Sequence, residues 1–245
     1  MGELREDPAL RGRPHPFRDR AEAGRALAEA ISPQVHDGAM VLAIPPGGVP
    51  VAREIAAEHA LPMGLLFVER LALPIGGESI GSIAWDGVSV LDRRTIDRSG
   101  LAPRELRRLR RQKLEAIRHR ARKYGVRVPD VRGKAVVLAD EGMISGDTML
   151  AAVKTLRRWG ATTITVAVPA APSRAVLRLI NEVDLLFCLN VRRDDDIGTL
   201  GAYSEERGFG ESEAYELWVG TANGGQNTRN PYHTVQSSSG IPYDR

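Results

Sequence analysis

Cysteine, aromatic residues and long apolar runs are all scarce in this 245-residue chain. The single cysteine, Cys188, excludes an internal disulfide, and its place in the apolar run 185–189 predicts a buried structural thiol. No apolar run reaches the ~20 residues of a membrane span, and residues 1–14 lack the apolar core of a signal peptide. We therefore expect a cytoplasmic protein that does not enter a membrane.

The net charge of +3 conceals two regions of opposite sign. Residues 104–123 contain ten basic and two acidic side chains, whereas residues 194–216 contain eight acidic side chains and one arginine. The two regions are expected to attract each other, within one chain or across a subunit boundary. The basic segment is poor in the aromatic groups that stack on single-stranded nucleic acid, so a solvated helix covering the sheet is the preferred interpretation and nucleic-acid binding is not expected.

Apolar runs and helical periodicity alternate along the chain. The predicted strands are 40–44, 65–68, 135–139, 163–170 and 185–191, and a hairpin is expected within 80–91 across Asp86-Gly87. This order predicts an α/β fold with a doubly wound, mainly parallel sheet and a long basic helix over about 103–124. The expected organisation is a polar N-terminal arm at 1–16, one domain at 17–219 and a flexible polar tail at 220–245.

The segment 134–150, KAVVLADEGMISGDTML, is the centre of the prediction. A buried strand is followed by two carboxylates, Asp140 and Glu141, then by a loop of small residues and a helix. Helix N-termini carry free N–H groups and a partial positive charge, so such a loop can enclose a phosphate. The adjacent carboxylates can accept hydrogen bonds from ribose hydroxyls and favour a carbocation-like ribose. This pattern is typical of a sugar-phosphate site.

A second strand, glycine loop and helix runs through Pro45-Pro46-Gly47-Gly48. Because the carboxyl ends of parallel strands lie at one edge of a sheet, both loops are expected at the same edge.

The segment with Asp140-Glu141 and Ser145-Gly146-Asp147-Thr148 resembles the phosphoribosyl-diphosphate (PRPP) motif of type I phosphoribosyltransferases. Phe17 to Ala28, Ile44 to Ala52, Val166 to Pro172 and Leu200 to Tyr203 resemble a group of bacterial phosphoribosyltransferase-like proteins of largely unknown acceptor. The likeness covers roughly residues 17–218.

The resemblance implies a five-stranded parallel sheet with a small hood, PRPP over the carboxyl ends of the strands, and Mg²⁺ with no protein side chain assigned to it. Asp140 and Glu141 would hold the ribose hydroxyls. The 5-phosphate would be bound by Ile144, Ser145, Gly146, Asp147 and Thr148. The pyrophosphate would be bound at Pro46, Gly47, Gly48 and Arg70, with the two glycines presenting backbone N–H groups. The expected assembly is a homodimer.

Four positions depart from the pattern of that group. It usually has an arginine at Pro46, aspartate at Glu141, a small residue at Asp147, and arginine-lysine where this chain has Glu69-Arg70. Two of these changes remove positive charge, and a third adds negative charge, near a very anionic donor. The Asp147 carboxylate is therefore expected to point outward or to grip a cation, since it cannot share the loop with a phosphate.

Two functions follow from the resemblance. The first is a transferase that moves 5-phosphoribosyl from PRPP to a nitrogen or oxygen of a small-molecule acceptor, releasing pyrophosphate. That acceptor could be basic, such as a polyamine or aminosugar, if Glu69, Asp147 and the acidic C-terminal region surround it. The alternative is a non-catalytic regulator that senses PRPP or a nucleotide on the same fold.

Overall fold

The computed structural model describes residues 2–32, 38–194, 200–205 and 208–223. Its centre is a parallel sheet of six strands, which in chain order are β1 (Glu3–Arg5), β2 (Met40–Ala43), β3 (Met63–Leu65), β7 (Ala135–Ala139), β8 (Thr163–Pro172) and β9 (Leu185–Arg192). Their order across the sheet is β1-β9-β8-β7-β2-β3. The fold is α/β with a doubly wound parallel sheet, as predicted.

Helices cover both faces of this sheet, and the alternation of side chains along each strand explains why. In β2, Val41 belongs to one apolar cluster and Leu42 to the other. The first cluster contains residues of α1 (Arg20–Ile31), α2 (Gly48–Glu58) and α7 (Glu211–Asn223). The second contains residues of α5 (Asp147–Trp159) and α6 (Ser173–Leu179). Cys188 is fully buried in the second cluster, and desolvation raises the pKa of its thiol to about 12, as expected for a structural cysteine.

A three-stranded antiparallel sheet forms the hood, from β4 (Val68–Ala72), β5 (Ser79–Ala84) and β6 (Ser89–Leu91). The predicted hairpin across Asp86-Gly87 is present. Gly81 has a φ of +128°, and a Cβ atom there would lie 1.9 Å from Val90 O, so only glycine fits where β5 meets β6. Helices α3 (Arg93–Ser99) and α4 (Pro103–Lys123) follow the hood.

The predicted attraction between the basic and acidic regions occurs within one chain, on the side where α4 meets α7. Arg120 of α4 forms an ion pair with Glu211, and Tyr124 donates a 2.8 Å hydrogen bond to the same carboxylate. Trp218 of α7 is 2% exposed and donates through Nε1 to Tyr124 O at 3.2 Å. The acidic helix α7 is thus fixed on the basic helix.

Several sequence predictions need correction. The sheet has six strands because Glu3–Arg5 pairs in parallel with Leu185–Phe187, so the N-terminal segment is not a wholly loose arm. The predicted strand 65–68 is instead the junction where the chain leaves the large sheet after β3 and enters the hood at β4. Helix α3 was not predicted. Residues 220–223 continue α7, and the rest of the predicted tail lies outside the described residues.

Within the ranges that the structure describes, no helix is both long and apolar enough to cross a membrane.

Candidate active site

The loops after β2 and β7 meet at one edge of the large sheet, as their parallel pairing requires. β2 and β7 are neighbours, with Ala43 opposite Ala139 at their carboxyl ends. A Cβ atom on Gly48 would lie 2.7 Å from Ala139 O and 3.0 Å from Asp140 Cα. The close approach of the two backbones therefore requires glycine at this position, and it brings the acidic pair against the glycine loop.

Asp140 stands at the end of β7 with a half-buried side chain. Its Oδ1 accepts a 2.8 Å hydrogen bond from the Glu141 N–H. Desolvation, reinforced by the negative charge of Glu141, raises the pKa of Asp140 well above its usual value, although the Glu141 N–H bond and the Arg20 charge oppose this. A desolvated carboxylate at this position interacts strongly with any positive charge that develops beside it.

Glu141 is held by a buried arginine. Arg20, at the start of α1, is 9% exposed, and its Nε and Nη2 each lie 2.6 Å from Glu141 Oε2. The guanidinium also lies over the rings of Tyr203 and Phe209, at 5.1 and 5.5 Å from their centroids. Tyr203 donates its hydroxyl to Glu141 O at 2.7 Å. Backbone and side chain of Glu141 are therefore both fixed by residues distant in sequence.

The segment 144–148 forms the turn into α5. Gly146 has a φ of +79°, which favours glycine, and precedes the first helical residue, Asp147. Ile144 and Ser145 are exposed. Among the described residues, the N–H groups of Thr148 and Met149 have no hydrogen-bond acceptor, so they remain available at the positive end of the helix.

The Asp147 carboxylate is paired with a cation, the guanidinium of Arg178, which is one of the two expected arrangements. Arg178 of α6 places Nη2 at 2.6 Å from Asp147 Oδ1, too poorly aligned for a hydrogen bond, while Ser145 donates its hydroxyl to Asp147 Oδ2 at 2.8 Å. The Asp147 side chain is 7% exposed. Its charge is therefore compensated by a neighbour that the sequence prediction did not identify.

Thr148 connects this turn to the hood. Its Oγ1 lies 3.2 Å from the Ser82 Oγ of β5. Further along the same helix, the Thr155 hydroxyl donates to Asp86 Oδ1 at 3.0 Å. The hydroxyl of Thr148 is thus shared with the hood, while its N–H stays available.

Two N–H groups at the glycine loop already donate to nearby backbone carbonyls. The Gly48 N–H donates to Ile44 O at 3.0 Å, and the Val49 N–H donates to Pro46 O at 3.2 Å. Pro46 has no N–H group. Within the described part of the chain, the Gly47 N–H has no acceptor, so it is the donor that this loop can offer to a ligand.

Arg70, which the sequence analysis assigns to the pyrophosphate, lies in the hood. It belongs to β4 of the hood, is exposed, and donates to Gly77 O at 3.2 Å. Arg120 instead reaches the glycine loop, donating to Pro45 O at 3.3 Å, and its guanidinium lies 5.1 Å from the Phe67 ring centroid.

Glu69, expected near a basic acceptor, forms ion pairs with Arg120 and with Lys113. Asp147 and Glu211 are also paired with arginines. These three acids are therefore neutralised within the protein and give no support to a basic acceptor.

Sequence reasoning missed the partners Arg20, Arg120 and Arg178. Arg20 and Tyr203 do lie in two of the segments that carried the family resemblance, which is the only signal that could have identified them. Arg120 lies on a helix with many arginines and Arg178 on a short helix with two, and nothing in the sequence separates either from its neighbours.

Comparison with known proteins identifies relatives. Two Mycobacterium tuberculosis proteins, from strains CDC 1551 and H37Rv and each named "Putative phosphoribosyl transferase", are 33% identical to this chain over 177 residues. The match covers 71% of this chain and 40% of each relative, so the chain spans less than half the length of these proteins. The crystal structure of TT1426 from Thermus thermophilus has 30% sequence identity and a TM-score of 0.67, covering 83% of this chain and 97% of that one. No family model matches the chain.

Proposed function

The chain belongs to the phosphoribosyltransferase family that its mycobacterial relatives represent, and on this basis we propose that it transfers a 5-phosphoribosyl group from PRPP to a nitrogen or oxygen acceptor. One observation carries the proposal: the acidic pair Asp140-Glu141 lies directly against the glycines of the second loop, at the edge where the N-terminus of α5 presents free N–H groups. An anionic sugar diphosphate could contact all three parts of this arrangement: the acidic pair, the glycine loop and the N-terminus of α5.

Each of these three parts of the site would bind a different part of PRPP. The N–H groups of Thr148 and Met149, with the partial positive charge of the α5 N-terminus, would bind the 5-phosphate together with Ile144, Ser145 and Gly146. Gly47, with Pro46 and Gly48 beside it, would face the pyrophosphate. Asp140 and Glu141 would accept hydrogen bonds from the ribose hydroxyls.

In the reaction, the bond between ribose C1 and the diphosphate oxygen breaks, and its electron pair leaves with pyrophosphate. The ribose gains positive charge, which the Asp140 carboxylate stabilises from a fixed position. The acceptor atom then donates a lone pair to C1 and loses its proton to solvent. Asp140 must be ionised for this task, so its raised pKa places the acid limb of the activity above the usual range of an aspartate.

The proposed reaction includes Mg²⁺, which would bind together with PRPP. Among the described residues, no group of three or more His, Cys, Asp or Glu side chains could hold a metal ion. Mg²⁺ commonly binds through one or two carboxylates plus substrate phosphates, and the desolvated pair Asp140 and Glu141 fits that donor set. When bound, the ion would neutralise part of the charge on the leaving pyrophosphate.

The test has two stages. Calorimetric titration with PRPP and Mg²⁺ measures binding, and release of pyrophosphate in the presence of pooled amine and hydroxyl acceptors measures transfer. We expect both. Failure to bind PRPP would overturn the proposal.

A regulator that senses PRPP or a nucleotide is the second candidate. The engagement of Glu141 by Arg20 and of the Gly48 N–H by Ile44 favours it, because both reduce the groups free for catalysis. Binding without turnover over all acceptors would select this function. The homodimer and the cytoplasmic location stay predictions.

A further inference from the structure

Arg20 is a buried cation next to the proposed pyrophosphate loop, and nothing in the proposed reaction yet uses it. It is 9% exposed and is contacted by Glu141 on one side and by the rings of Tyr203 and Phe209 on the others. Buried ion pairs contribute little net stability once both charges have been desolvated. The position of this pair is therefore more informative about ligand binding than about folding.

The Glu141 carboxylate lies against the backbone of the loop. A Cβ atom on Gly47 would lie 2.1 Å from Glu141 Cδ and 2.3 and 2.4 Å from its two oxygens. Glycine at this position is what lets the carboxylate come so close. Since Arg20 donates to that same carboxylate, its guanidinium is next to the loop as well.

The carboxylate thus occupies the space beside Gly47, where the proposed function needs the anionic end of PRPP. A diphosphate cannot stay in contact with an ionised glutamate without strong repulsion. A guanidinium, by contrast, presents paired N–H groups that fit a phosphate as well as a carboxylate. The two aromatic rings can keep the guanidinium in place whichever anion it binds.

The loop itself is short of positive charge. Pro46 has neither a charge nor an N–H group, and Arg70 donates to Gly77 O in the hood. Arg120 reaches the loop at Pro45 O but is already paired with Glu69 and Glu211. A buried arginine from α1 supplies that charge from outside the loop.

We propose that Arg20 binds the diphosphate group, and that Glu141 is its internal competitor, holding the guanidinium in place in the free protein and yielding it when the diphosphate arrives. This inference rests on the proposed location of the diphosphate at Gly47. Once displaced, the Glu141 carboxylate is free to accept hydrogen bonds from the ribose hydroxyls, so one side chain would serve two stages of binding.

The test uses inorganic pyrophosphate without Mg²⁺ in calorimetric titrations of the full chain, so that the competition between Glu141 and pyrophosphate is measured apart from any part Glu141 has in holding the ion. Glu141→Gln removes the competing charge and should tighten pyrophosphate binding roughly tenfold. Arg20→Met should weaken it by about tenfold to a hundredfold, the loss typical of a charge-assisted hydrogen bond. Arg25→Gln is the matched control on the same helix, because Arg25 is exposed and pairs with Glu54; its affinity should stay within about twofold.

A purely structural role for Arg20 would give a different pattern. Arg20→Met would then lower the melting temperature, while Glu141→Gln would leave pyrophosphate affinity unchanged or weaken it, and that result overturns the inference. If Arg20→Met does not fold, Glu141→Gln and Arg20→Lys decide the question, since the lysine variant keeps the charge but loses the paired donors.

The test of Arg20 and the test of the proposed function can give different results. Pyrophosphate binding that tightens in Glu141→Gln supports the inference even when no acceptor is turned over. Absence of pyrophosphate binding in both the wild type and Glu141→Gln overturns the inference, whereas the proposed function is judged on PRPP binding and pyrophosphate release.

Discussion

Arg178 places its Nη2 atom 2.6 Å from Asp147 Oδ1, so the negative charge at the first residue of α5 is compensated by the helix that follows β8. This pairing removes a conflict that the sequence alone presented. An aspartate in a loop proposed to bind phosphate would repel its ligand unless a cation neutralised it.

Removing Arg178 should restore that conflict. Arg178→Ala is expected to weaken binding of ribose 5-phosphate by about threefold to tenfold, because the Asp147 carboxylate then faces the phosphate uncompensated. The double variant Asp147→Ala with Arg178→Ala should recover affinity to within about threefold of wild type. Calorimetry measures both. Arg174→Ala on the same helix, where Arg174 bonds to Asp194, is the control, and equal losses in it and Arg178→Ala would count against the pairing.

Asp140 is expected to be the most sensitive position for turnover. Asp140→Asn should lower the rate by about tenfold to a thousandfold, since it removes a charge directed at the developing cation, while the Asn oxygen can still accept from the Glu141 N–H. Steady-state pyrophosphate release measures the effect. Asp130→Asn is the control, because the Asp130 side chain is 76% exposed. Retention of full activity in Asp140→Asn would remove this residue from the site.

The same substitution should stabilise the fold at neutral pH. The pKa of Asp140 is raised in the folded state, so the folded protein holds that proton more tightly than the unfolded chain. Its contribution to stability is full below the unfolded pKa and is lost as the pH rises through the folded pKa. Asn cannot ionise, so Asp140→Asn should melt above wild type at about pH 8, where the folded wild type bears the cost of ionising a desolvated carboxyl group.

Melting curves followed by circular dichroism at several pH values would check this. The gap between the two proteins should close as the pH falls below the usual pKa of an aspartate. A gap that widens toward acid pH would mean that the carboxylate is stabilised by the fold instead of being desolvated.

Replacing Pro46 with arginine should tighten PRPP binding. The substitution adds both a guanidinium and a backbone N–H to the loop that carries Gly47. Calorimetric titration with PRPP and Mg²⁺ reports the change, and ribose 5-phosphate, which lacks the diphosphate, is the control ligand and should bind unchanged. If PRPP affinity is unaltered or weaker, then Gly47 and Gly48 are not the pyrophosphate loop.

Trp218 should be the main anchor of α7. Trp218→Ala removes a side chain that is 2% exposed, together with its hydrogen bond to Tyr124 O, and should cost about 3–5 kcal/mol of the free energy of unfolding. Urea denaturation followed by circular dichroism measures it. Leu177→Ala is the control, because Leu177 is 70% exposed and should change stability by less than about 0.5 kcal/mol. Similar midpoints for the two variants would mean that α7 does not stabilise the domain.

The sequence was sufficient to predict the strands and helices whose pattern involves only neighbouring residues. The strand 135–139, the acidic pair after it and the helix beyond could be predicted because apolar runs, small residues and periodicity are properties of neighbouring positions. The three-residue β1 carries too little pattern to be recognised, and the apolar run 65–68 gives no sign that the chain changes sheets within it.

The site's charges were less predictable than its backbone. Arg20 and Glu141 are separated by 121 positions, and Arg120 and Glu211 by 91. Which arginine meets which carboxylate is decided by how the helices pack on the sheet. For this reason the sequence indicated an excess of negative charge at Glu69 and Asp147, where the folded protein has ion pairs.

Two hydroxyl contacts connect the hood to α5, so the position of the hood and the geometry of that helix are linked. Ser82 and Asp86 of the hood contact Thr148 and Thr155, both on the helix whose N-terminus is proposed to bind the 5-phosphate. A displacement of the hood would therefore pull on that helix end and disturb the N–H groups of Thr148 and Met149.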